Sequence, residues 1–68
     1  MSDVVIGQVW KDCDKRIADR YITVITIEGE YAFCRVCTRN GRELSARLTR
    51  ILLRRFKPTS TGFDLVKP

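Results

Sequence analysis

Apolar and polar residues alternate most cleanly between Tyr31 and Arg39, where Tyr31, Phe33, Arg35 and Cys37 share one face and Ala32, Cys34 and Val36 the other. That is the signature of a β-strand. The run before it, residues 21–27, is β-branched and aromatic throughout, and Glu28-Gly29-Glu30 separates the two runs as a hairpin turn. A shorter apolar stretch over residues 4–10 predicts a first strand, with Gly7 as a bulge or close-approach position and Trp10 as its anchor. Residues 11–20 are mostly charged and follow neither period, so they read as a loop in which Asp12 and Asp14 bond to nearby backbone. Asn40-Gly41 predicts a type I′ hairpin that takes the third strand straight into a fourth.

Residues 43–56 admit two readings. Leu44, Leu48, Ile51, Leu52 and Phe56 recur near helical spacing, with Arg47, Arg50 and Arg54 on the opposite face, which would make an amphipathic basic helix. The Asn-Gly turn and Thr49 favour instead a strand through about Leu52, then one tight helical turn over residues 53–55 that ends before Pro58. The run from Lys57 to Gly62 is a turn, and Phe63-Asp64-Leu65-Val66 a short closing strand. Five short strands, with a helical turn before the last, predict an all-β fold: a small five-stranded SH3-like barrel spanning residues 1–68 as one domain. An OB-like barrel is the alternative.

Charge adds a direction to this picture. The chain carries +5 overall, yet residues 35–57 hold eight basic side chains against Glu43 alone, a net of +7, while the first 34 residues carry a net of −2. A polyanion is the partner such an asymmetry attracts. Length restrains the ambition, because a 68-residue domain buries only about 60% of the surface its unfolded chain exposes, too little for a deep catalytic cleft. Among 44% apolar residues no run approaches the roughly 20 needed to cross a bilayer, and the N-terminus lacks a secretion signal's layout, so a cytoplasmic protein without membrane contact is expected.

The sequence contains no histidine, which removes the commonest general base and the commonest zinc ligand together. Ser45, Ser60 and the threonines therefore have no visible activating base, and no enzyme activity is expected. Cys13, Cys34 and Cys37 are odd in number, which argues for reduced thiols. Cys34 and Cys37 have metal-ligand spacing, but on a strand they point to opposite faces. Asp12 and Asp14 alone make a poor calcium loop. Neither metal nor cofactor is expected.

Gly7-Gln8-Val9-Trp10, Asp12-Cys13-Asp14, Arg20, and the stretch from Arg50-Ile51 through Arg55-Phe56-Lys57-Pro58-Thr59-Ser60-Thr61-Gly62-Phe63 resemble the short uncharacterised SH3-like proteins of actinobacteria and their phages. The resemblance covers most of the chain and rests chiefly on its closing element, although the segment after Ile51 is richer in leucine. It implies a small β domain and carries no functional residues over.

Small side chains suit a narrow interior, so Ala32, Cys34 and Val36 fit inside, and two readings are open for Tyr31, Phe33 and Arg35, one of them an outward aromatic and basic strip able to stack bases. The alternative is that Tyr31 and Phe33 pack beneath a loop or the termini. Arg39, Arg42, Arg47, Arg50, Arg54, Arg55 and Lys57 are the further phosphate-contact candidates, arginine's planar fork being suited to phosphate oxygens. The function expected first is a non-enzymatic nucleic-acid-binding module. The alternatives are an adaptor that binds an acidic protein partner through an exposed strand edge or its leucine and arginine segment, and a subunit that self-associates through the leucines of residues 44–53.

Overall fold

The computed structural model describes residues 4–16, 20–59 and 61–68. Five strands, β1 (Val9–Asp12), β2 (Tyr21–Glu28), β3 (Tyr31–Cys37), β4 (Thr49–Leu52) and β5 (Phe63–Lys67), form one antiparallel sheet in the order β4-β3-β2-β1-β5. A 3-10 turn over Leu53–Arg55 leads towards the last strand, and no α-helix occurs among the described residues. The expected barrel is corrected in one respect: the sheet does not close. Strands β4 and β5 are its two edges, because β5 returns to pair with β1 while β4 pairs with β3 alone.

The β2–β3 hairpin forms as the sequence predicts, with Glu28 opposite Tyr31 and Gly29 supplying a φ of 59° at the first loop position. Its register shifts between Val24 and Thr26, leaving Ile25 as the extra residue of a bulge. Strict alternation from Ile22 and Val24 would turn Thr26 and Glu28 inward. The bulge instead brings Ile27, opposite Ala32, onto the core side.

The core joins Val4, Trp10, Ile22, Val24, Ala32, Cys34, Ile51 and Phe63, with Ile27, Leu53 and Phe56 packed at its margin. Trp10 meets the edge of Phe56 at 5.1 Å between centroids, and Phe56 stacks on Phe63 at 5.2 Å, so three aromatic rings seal one end. Gln8 is buried beside them, and its Oε1 accepts bonds from the Val5 N–H at 2.7 Å and the Trp10 Nε1–H at 3.2 Å. These bonds hold residues 4–8 as an irregular arm rather than the expected strand. The Gly7 N–H donates to the Val24 carbonyl, and the Val24 N–H to that of Gln8, so the arm stays bonded to β2 through a bulge at Gly7, φ 95°, as expected there, while the regular strand β1 starts at Val9.

At Asn40-Gly41 the chain does reverse, but Gly41 donates to the Thr38 carbonyl, which makes Arg39-Asn40 the central pair and places Gly41, φ 91°, after it. This is a three-residue loop rather than the two-residue type I′ turn. The fourth strand does not follow at once. After the Cys37–Glu43 bridge, an irregular stretch intervenes and β4 begins at Thr49. Within residues 43–56 the favoured sequence reading holds from Thr49 on, as strand to Leu52 and 3-10 turn over Leu53–Arg55, whereas residues 44–48 are irregular and the amphipathic helix is not formed. Ile51 is buried opposite Ala32, whereas Leu44 and Leu48 are 62% and 44% exposed.

Candidate nucleic-acid interface

The core side of β3 carries the small residues: Ala32 and Cys34 are fully buried, and Val36, expected with them, is half-buried. Tyr31, Phe33 and Arg35 occupy the other side and are half-buried. The β3–β4 register places Arg50 opposite Phe33 and Leu52 opposite Tyr31. From there the Arg50 guanidinium reaches diagonally across to Tyr31, its central carbon 4.5 Å from the ring centroid. Such a cation–π contact contributes about 0.5–1 kcal/mol at an exposed site. Tyr31, Phe33 and Arg50 thus form one aromatic and cationic surface, which offers planar groups for stacking and a guanidinium for phosphate oxygens.

Arg35 belongs to this face but is partly committed. Its Nη1 donates to Glu43 Oε1 at 2.6 Å, and its Nε is buried with no hydrogen-bond partner. An ion pair this exposed contributes about 0–1 kcal/mol. Its main consequence is to cancel the Arg35 charge, leaving Arg50 as the stronger phosphate candidate.

The other predicted cations are dispersed. Arg42 and Arg47 are exposed on the β3–β4 connection, and Lys57 is exposed beyond the 3-10 turn. Arg39 borders a cleft of about 270 Å³ with Lys11, Tyr21 and Asp64. Arg54 borders a groove of about 510 Å³ with Tyr31, Leu52 and Leu53, at the tip of the β2–β3 hairpin. Arg55 faces away from both: it donates to the Thr61 carbonyl at 2.9 Å and lies 5.8 Å from the Phe63 ring centroid. The basic residues therefore spread over several faces: Arg35 and Arg50 lie on the aromatic strip, and Arg54 reaches its Tyr31 end.

Sequence reasoning missed Arg16 and Arg20, which line a cavity between the two sheet edges together with Arg50 and Arg55. The net negative charge of the first 34 residues concealed them. Asp12 and Asp14 are engaged in turns, as expected: Asp12 Oδ1 accepts from the Asp14 N–H, and Asp14 Oδ1 from the Arg16 N–H, both at 2.9 Å. Asp14 also takes both ends of the Arg16 guanidinium, at 3.2 and 3.0 Å. The Arg16 side-chain bond, with its backbone N–H second, holds the Asp14 carboxyl below its ordinary range.

The thiols do not converge on a common point. Cys34 lies in the core and Cys37 is buried on the opposite side of β3. Burial above all, with the neighbouring Cys37, pushes the Cys34 thiol up to about 12. Burial and then Glu43 raise Cys37, while desolvation followed by Asp64 and Asp12 raises Cys13. None has the lowered pKa of a reactive thiol. Ser60 lies outside the described residues, and no helix among those described is long and apolar enough to cross a membrane.

Compared with protein-family models, curated proteins and solved structures, the chain matches none.

Proposed function

We propose that this chain is a non-enzymatic nucleic-acid-binding module that acts in the cytoplasm without a cofactor. The observation that carries the reading is the Tyr31–Phe33–Arg50 surface, on which a guanidinium already stacks over an aromatic ring and a second aromatic residue stands beside it. Bases stack on aromatic rings and on guanidinium planes alike, each stacked base contributing about 1–3 kcal/mol by alanine substitution. The excess of basic residues in the second half supplies the non-specific attraction to phosphates. The return of β5 onto β1, and the 3-10 turn before it, support an SH3-like arrangement of the open sheet and agree with the resemblance to the small actinobacterial and phage proteins.

Anisotropy of labelled random single- and double-stranded oligonucleotides, titrated at two salt concentrations, tests this function. Micromolar binding that weakens steeply with salt is the expected result, and no binding even at low salt would remove the reading. One observation favours a second reading: β4 and β5 are unpaired edges, and Arg50 on β4 would suit an acidic strand added there. Binding to an acidic protein rather than to oligonucleotides, lost on Leu52→Ala, would select it.

A further inference from the structure

The open sheet leaves a seam between β4 and the start of β5, and the seam holds a cavity of about 320 Å³. We propose that this cavity binds a nucleoside monophosphate, either free or as the 5′-phosphorylated end of a strand. The site is separate from the Tyr31–Phe33 surface and does not depend on it, although Arg50 borders both.

Charge points to an anion. Arg16, Arg20 and Arg55 line the cavity against Asp12 and Asp14, a formal net of +1, and Arg50 borders it with its guanidinium turned to Tyr31. Both carboxylates are already occupied, Asp12 by the Asp14 N–H and Asp14 by the Arg16 guanidinium and N–H. Arg20 makes no ion pair among the described residues. Arg55 is oriented by its bond to the Thr61 carbonyl, which spends one nitrogen and leaves its other donors for a ligand. Two arginines brought from different parts of the chain, Arg20 before β2 and Arg55 in the 3-10 turn, suit the several oxygens of a phosphate better than a single point charge would.

The walls point to what the anion is attached to. Ile22, Ile51 and Phe63, core residues from three different strands, floor the cavity, whose lining is about half polar and half apolar. A bare inorganic ion would use only the arginines. A ligand with a phosphate and a flat, weakly polar body uses both halves, and the volume lies at the lower end of small-molecule sites, room for one nucleotide rather than a stretch of strand.

The test is an amide-resolved NMR titration of the whole ¹⁵N-labelled chain with adenosine monophosphate, adenosine, inorganic phosphate and succinate. Adenosine monophosphate is expected to shift the Arg20, Thr49, Thr61 and Phe63 amides saturably, and to bind about tenfold more tightly than adenosine or phosphate alone, as charge-assisted bonds added to apolar contact imply. Arg20→Ala should weaken it about tenfold while Arg20→Lys restores part of the loss. A tetranucleotide with a 5′-phosphate, compared with its 5′-hydroxyl form, distinguishes the sources: seam shifts that require the phosphate identify the strand end, and seam shifts with the mononucleotide alone identify the free ligand. Unmoved seam amides at millimolar ligand, equal affinity of Arg20→Ala, or equally tight binding of phosphate or succinate would overturn the proposal. A strand that shifts only Tyr31 and Phe33 would overturn it too, while leaving the stacking surface intact.

Discussion

A β-carbon added at Gly62 would lie 2.2 Å from the Lys57 carbonyl oxygen and 2.8 Å from that of Arg55. Backbone cannot yield at such distances without unravelling the loop. The Gly62 N–H bonds to the Thr59 carbonyl, the Phe63 N–H to that of Lys57, and the Gly62 carbonyl receives the Cys13 N–H, so the turn is tied to the end of β1. Gly62→Ala should therefore cost about 1–3 kcal/mol, read as a lower urea midpoint at unchanged m-value. The turn itself was legible from Pro58 and the small residues after it. The need for glycine was not, because it arises from two carbonyls and one hydroxyl brought together by the fold. A second consequence at this scale concerns Cys34, whose folded pKa of about 12 lies above the ordinary thiol value of 9.0. Between those values the unfolded chain has lost the proton that the folded one keeps, so stability is full below about pH 9 and falls as pH rises towards 12. Unfolding midpoints at pH 7.5 and 10 should show a loss of about 1 kcal/mol that is smaller in Cys34→Ala, where only the raised thiols of Cys37 and Cys13 remain.

Among the elements, the segment after the Asn40-Gly41 turn shows how tertiary pairing overrides local period. Its apolar spacing fits a helix, yet pairing with β3 uses Ile51 alone as a buried side chain and leaves Leu44 and Leu48 in solvent. Hydrogen exchange should accordingly find rapid exchange at Ser45, Ala46 and Leu48 and the slowest exchange at the centres of β2 and β3. Protection across residues 44–56 in an i to i+4 pattern would contradict this assignment. The strand reading was legible because Asn-Gly and Thr49 argued against a helix. The delay before β4 was not, since Cys37–Glu43 and Cys34–Thr49 pair in different registers and only the folded sheet decides how many residues loop out. The same holds for the bulge at Ile25. It appears in the sequence only as a break in alternation, with Ile22 and Val24 on one parity and Ile25 and Ile27 on the other.

For the whole molecule, sheet order determines which charges act together. The excess of +7 over residues 35–57 reads as one basic face in the sequence, but the strand edges, the hairpin turn and the 3-10 turn send those side chains to separate surfaces. Alternation determines the side of β3 on which the aromatic strip lies but not its exposure: with Ala32 and Cys34 in the core, Tyr31 and Phe33 lie on the other side, half-buried, where Cys37 is buried too. The position of Arg50 beside them depends on the register of β4, which no local pattern specifies. The central claim is that this strip stacks bases, and the affinity of Tyr31→Ala for a labelled random single-stranded oligonucleotide at low salt tests it most directly. A folded Tyr31→Ala protein should bind roughly 5- to 150-fold more weakly than the original, the equivalent of one lost stacking contact. Unchanged affinity would contradict the account.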